Sequence, residues 1–217
     1  MQVIAVLNQK GGAGKTTIAV NLARALQLRG KSVVIVDSDP QGTARDHAAV
    51  EGSTSPLTVG LDRPTLDRDV RSLAADIVVI DGAPQIATLA ASAVKAADFV
   101  LIPVQPSPYD IWATADLVDL VKQRQEITEG KLRAAFIVSR AIVNTKLGRD
   151  VVGALEEYEL PILSTHIHQR VDYPKTAARG MTVLDQRSVS TEAQDEIVSM
   201  ANEVLAILNE IEREAAA

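Results

Sequence analysis

Six consecutive residues constrain this chain more than any others. Gly11-Gly12-Ala13-Gly14-Lys15-Thr16 follows a short apolar run, Val3–Leu7. It opens a segment, Lys15–Leu28, in which Leu22, Ala23 and Leu26 repeat on one helical face. Strand, glycine-rich loop and helix in that order form the setting a phosphate-binding loop requires. The glycines let backbone N–H groups converge on phosphate oxygens, and the helix N-terminus adds partial positive charge. Lys15 is placed to reach the β and γ phosphates, and the Thr16 hydroxyl to ligate Mg2+. The strict pattern GxxxxGK[ST] would put a glycine at position 9, where this chain has Gln9, and the loop begins with an extra cation, Lys10. Lys10 is either plain surface charge or a group that reaches a phosphate of a facing subunit, on the principle of an arginine finger supplied in trans.

The rest of the chain repeats the alternation. Strands are expected at Ser32–Val36, Ile77–Ile80, Phe99–Val104, Ala134–Val138 and, briefly, Ile162–Leu163. Helices are expected at Gln41–Val50, from Pro64 to Leu73, at Ala87–Ala96, at Tyr109–Gln125, from a cap at Asn144 or Thr145 to Tyr158, and over about 188–214. Gly52–Arg63 reads as a loop. Short apolar strands separated by helices imply an α/β fold: three layers, with a mostly parallel sheet flanked by helices. No linker or repeat interrupts 1–217, so a single domain is expected.

Acidic residues close two of the strands. Val36-Asp37-Ser38-Asp39-Pro40 ends the second, and Val79-Ile80-Asp81-Gly82 ends another. In a parallel sheet such ends gather beside the phosphate loop. Asp81 is expected to hold Mg2+ directly or through water, Asp39 to position water or act as a switch, and Asp37 to support the metal or the loop.

Composition narrows the chemistry. The chain has no cysteine, which excludes disulfides and thiolate metal sites and counts against iron–sulfur scaffolds or reductases. His166 and His168 are read as turn or surface histidines in preference to a metal pair. No apolar run reaches a membrane span, and MQVIAVLN lacks a basic leader, so a cytoplasmic protein is expected. The net charge of -6 lies in one place: residues 192–217 hold seven acids against one base, while the first 191 residues balance 21 acids with 21 bases. Residues 131–187 are mildly basic, with nine bases against six acids.

Together these motifs resemble the ParA/MinD family of deviant-Walker P-loop ATPases. The likeness is greatest to the small ParA (ParF-like) partition ATPases that lack an N-terminal helix-turn-helix domain. It rests on Lys10-Gly11-Gly12-Ala13-Gly14-Lys15-Thr16-Thr17, on Val36 to Gly42, on Val79 to Pro84 and on Ile102 to Pro108. The resemblance implies a deviant Walker P-loop NTPase fold binding ATP and Mg2+ through Gly11 to Thr17, with Pro106 near the base. A plain strand-to-helix connection is the other reading of Pro103–Pro108. It implies that Lys10 crosses a nucleotide-sandwich homodimer and that Lys15 and Asp39 serve slow hydrolysis. It further implies non-specific DNA binding on the nucleoid and a partner protein that stimulates hydrolysis, for plasmid or chromosome segregation. The same cycle used to position a protein organelle or other cargo is the alternative, and a structural nucleotide-binding protein a more distant one. Arg170, Lys175 and Arg179 are the residues expected at DNA, against ordinary solvated charge. The acidic last helix argues against a membrane-bound member, whose corresponding helix is basic.

Overall fold

Seven strands form one sheet in the computed structural model, which describes residues 1–142, 146–186 and 188–216, with 146–150 described by backbone alone. They are β1 (Gln2–Val6), β2 (Val33–Asp37), β3 (Leu57–Gly60), β4 (Ile77–Asp81), β5 (Phe99–Val104), β6 (Arg133–Ala141) and β7 (Ile167–His168). Their order is β3-β2-β4-β1-β5-β6-β7, and every neighbouring pair is parallel. The helices are α1 (Lys15–Leu28), α2 (Thr43–Ala49), α3 (Leu66–Asp69), α4 (Ala87–Ala96), α5 (Pro108–Trp112), α6 (Ala115–Ile127), α7 (Lys146–Glu156), α8 (Asp172–Ala177) and α9 (Thr191–Ala216).

The central strands are continuously apolar because both faces of the sheet are covered. Alternate residues divide between two cores. Ile4, Val6, Ile35, Val79 and Ile137 pack with Ile18, Leu22 and Leu26 of α1 and with Ile197, Met200, Val204 and Leu208 of α9. Val3, Ala5, Val36, Ile80 and Val138 pack with Leu66 of α3, Val94 of α4, Val118 and Val121 of α6 and Leu155 of α7. Register aligns the carboxyl ends: Val6 of β1 and Asp37 of β2 both pair with Asp81 of β4. The loop after β1 and the acids of β2 and β4 thus meet at one edge.

The C-terminal helix is docked along its apolar stripe, and its charge is partly consumed. Glu196 accepts from His168, Arg170 and Tyr173, Glu203 from Ser164 and Thr165, and Glu214 from Arg133. Among the described residues, no helix is long and apolar enough to cross a membrane.

Four expectations change. β3 lies inside the stretch read as a loop; it is an edge strand with Leu57 exposed, so no buried apolar run announces it. The helix expected over Tyr109–Gln125 is two helices. The buried Thr114 hydroxyl turns back to the Ile111 carbonyl (2.6 Å), and a turn at 113–114 separates the two. Ile162 makes only an isolated bridge to Phe136, and the last strand is β7. α8 was not expected; six residues containing Pro174 show too little periodicity. The cap proposed at Asn144 or Thr145 lies outside the described residues.

Candidate active site

The loop between β1 and α1 folds as its glycines dictate. Gly12 has φ 79° and Gly14 φ 88°, left-handed values disfavoured for residues with a Cβ. Gly14 is the residue before α1, and its carbonyl accepts the Ile18 N–H. Gly11, Gly12, Gly14, Lys15, Thr16 and Thr17 line a cavity of about 570 Å3, with Ala13 buried beneath. Lys15 is 7% exposed, and its Nζ donates to the Lys10 carbonyl at 3.0 Å. Burial lowers its pKa, against the pull of Asp81 and Asp39.

Asp81 stands behind this loop with 1% exposure. Among the described residues neither of its carboxylate oxygens has a hydrogen-bond partner. Burial pushes its pKa up to about 7, and the charges of Asp37 and Asp39 add to the rise, while the Thr16 hydroxyl and Lys15 oppose it. Thr16 acts here as a nearby polar group, not as a closed hydrogen bond. Two orphaned buried oxygens beside a hydroxyl suit a hard cation that takes oxygen ligands. The donor set therefore fits Mg2+, with Asp81 and Thr16 as its protein side. Mg2+ in such sites keeps waters and phosphate oxygens as its other ligands, so a dense cluster of protein ligands is not required.

Asp37 uses both oxygens on the backbone. Oδ1 accepts the Asp39 N–H (3.0 Å) and Oδ2 the Arg45 N–H (2.9 Å), with Arg45 Nε at 3.5 Å. Those bonds shape the turn that presents Asp39. Asp39 reaches the cavity wall, and its Oδ1 accepts the Gln41 N–H.

Lys10 and Pro106 are not among the cavity-lining residues. Lys10 Nζ instead pairs with Asp110 Oδ2 of α5 at 2.6 Å. Asp110 is 3% exposed, and its other oxygen has no partner among the described residues. Tyr109 and Trp112 flank it, exposed and packed edge to face. The rest of the lining comes from β6, β7, α8 and the turn between β7 and α8, including Ser139, Arg140, His168, Arg170 and Tyr173. Lys175 and Arg179 are exposed. Arg170 is not: its guanidinium is bound to Glu196 at 2.6 Å, which raises its pKa and lowers that of Glu196 despite burial. His168 also bonds Glu196, and burial lowers the pKa of His166.

Sequence reasoning did not single out Ser139, Asp110 or Glu196, and it counted Arg140 only as one of nine bases. Asp110 carried a weak signal, as an acid two residues after the Pro103–Pro108 segment. The others carried none, since nothing local ties them to the loop.

A family model described as the CobQ/CobB/MinD/ParA nucleotide binding domain matches residues 4–183. The chain is 31% identical over 208 residues to maintenance of carboxysome distribution protein A of Halothiobacillus neapolitanus, covering 93% of this chain and 95% of that protein. It is 30% identical over 241 residues to the chromosome-partitioning ATPase Soj of Thermus thermophilus, covering 95% and 96%. Among solved structures, the fold matches Cyanothece McdA in its apo form (TM-score 0.77, 18% identity, 94% of this chain and 99% of that one). It also matches an ATP complex of a variant of that protein (TM-score 0.72, 18% identity, 96% of each).

Proposed function

The chain belongs to the CobQ/CobB/MinD/ParA nucleotide-binding family, and from that premise we propose that it is a slow, Mg2+-dependent ATPase that works as a positioning cycle on DNA. One observation carries the reading: a buried carboxylate, Asp81, keeps two oxygens without a hydrogen-bond partner among the described residues, beside a phosphate loop that supplies Thr16 and Lys15. Mg2+ would add charge neutralisation at the phosphates. The backbone N–H groups of Gly11 to Thr16 hold phosphate oxygens, and Lys15 neutralises charge beside them. Asp39, on the turn braced by Asp37, orients the attacking water. No stronger base is needed, since phosphoryl transfer depends on positioning and charge more than on proton abstraction.

Lys10 serves the site of a second copy, so the active species is an ATP-dependent homodimer. Its DNA contact is non-specific and electrostatic. Lys175 and Arg179 are available for it, whereas Arg170 has its charge answered by Glu196. A partner protein stimulates hydrolysis and releases the dimer from the nucleoid. Plasmid or chromosome partition is the first reading of the cargo. Positioning of a protein organelle is the second, favoured by likeness along nearly the whole chain to a carboxysome distribution protein.

The test is DNA co-sedimentation with ATP, with ADP and without nucleotide, across salt, for the wild type and Lys10→Ala. ATP-dependent, salt-sensitive binding that Lys10→Ala loses supports the cycle. Equal binding in every nucleotide state, or none at low salt, sinks it. Co-purification of the tagged chain with DNA-bound or organelle-bound partner proteins separates the two cargos.

A further inference from the structure

Side chains from the carboxyl ends of β5 and β6, on one side of β1, grip the phosphate loop by its carbonyls. Ser139 Oγ donates to the Ala13 carbonyl at 2.8 Å, in a buried contact. Arg140 Nη1 donates to the Gly12 carbonyl at 3.0 Å, and Gln105 Nε2 donates to the same oxygen at 3.2 Å. A planar trans peptide points its C=O and its N–H to opposite sides. Holding the Gly12 carbonyl toward β6 therefore turns the Ala13 N–H away from β6, and holding the Ala13 carbonyl does the same for the Gly14 N–H. Backbone N–H groups held in fixed directions are what such a loop offers an anion.

Ser139 and Arg140 are neighbours, and in a regular strand they would face opposite sides of the sheet. Both reach the loop because β6 is irregular at this point. Its pairing with β7 goes from Ser139↔Ile167 to Ala141↔His168, two residues against one. Arg140 itself sits at φ 51°, a conformation disfavoured for a residue with a Cβ. Strain of this kind persists where the surroundings over-determine it. We propose that the β6 bulge is a positioning device, in which Ser139 and Arg140 together set the peptide planes of Gly12-Ala13-Gly14 for phosphate binding. The inference rests on the reading of this loop as a nucleotide phosphate site.

Calorimetric titration with ADP and with ATP tests it, on the wild type, Arg140→Asn, Arg140→Lys and Gln105→Ala. Asparagine tolerates the left-handed backbone, so Arg140→Asn removes the donor and keeps the bulge. Its expected effect is about 5–10-fold weaker binding of ADP and ATP alike, the size of one lost hydrogen bond to a positioned group. The melting temperature of the nucleotide-free protein should stay near wild type, and Arg140→Lys should recover part of the loss. Gln105→Ala should weaken both nucleotides in the same pattern, and the double variant should depart from the product of the singles, because both donors act on one oxygen. Wild-type affinity in Arg140→Asn and Gln105→Ala overturns the proposal. So does a loss confined to ATP, which would mean a direct contact to the γ phosphate. A wild-type chain that binds neither nucleotide overturns the nucleotide reading itself, and this inference with it.

Discussion

Lys10 Nζ and Asp110 Oδ2 lie 2.6 Å apart, an ion pair that joins the phosphate loop to α5 across 100 positions of sequence. The Asp110 side chain is buried and the Lys10 side chain is 38% exposed. A lysine that serves a second subunit must first leave this partner. Asp110→Asn should therefore favour the ATP-dependent dimer by about 2–5-fold, the scale of a partly exposed ion pair. Sedimentation velocity with and without ATP measures it. An unchanged or weaker dimer would mean that Asp110 does not restrain Lys10.

Asp81 should make the nucleotide-free protein lose stability as pH rises. Its ordinary pKa is 3.8 and its folded value about 7. Between those values the folded state holds a proton that the unfolded state has released, so stability falls with rising pH through that window. The shift corresponds to at most about 4 kcal/mol. Asp81→Asn should flatten the slope of urea midpoints between pH 4 and pH 7 and should weaken Mg2+-dependent nucleotide binding. A wild-type slope in the variant would remove Asp81 as its source.

Asp39→Ala should keep ATP binding and lose turnover by about 10^2-fold or more, the usual scale for a group that handles the attacking water. Fluorescent-nucleotide binding and phosphate release, measured on the same preparation, separate the two effects. Normal turnover would assign water positioning elsewhere.

Lys175→Ala and Arg179→Ala should each lower the salt dependence of DNA binding by about one unit of log–log slope. Arg170→Ala should act differently. It strands Glu196 without its strongest donor, so it should destabilise the fold by roughly 1–3 kcal/mol while changing the salt slope little. DNA binding across a salt series, with a thermal melt of each variant, distinguishes these cases.

Legibility in the sequence followed burial. α1, α4 and β5 coincide with their expected bounds, because buried helices and doubly covered strands leave unbroken periodic patterns. The edge strand β3 leaves no such pattern, since none of Leu57–Gly60 is fully buried. A single buried hydroxyl, Thr114, split a helix whose apolar spacing runs straight through the break. At the site, Lys15, Thr16 and Asp81 were readable from their order along the chain. That the Asp81 oxygens have no hydrogen-bond partner among the described residues, that Asp37 is consumed by two N–H groups, and that Arg170 is claimed by Glu196 are facts of three-dimensional proximity. No local pattern encodes them.

Trp112 is the one tryptophan in the chain, it is 66% exposed, and it stands two residues from Asp110. The molecule therefore carries its own optical label at the place where Lys10 is held. Intrinsic emission excited at the indole band reports on α5 alone, with no dye to perturb it and no second indole to dilute it. Any event that covers this helix should shift the emission to the blue, and one that merely fills the phosphate loop should leave it where it was.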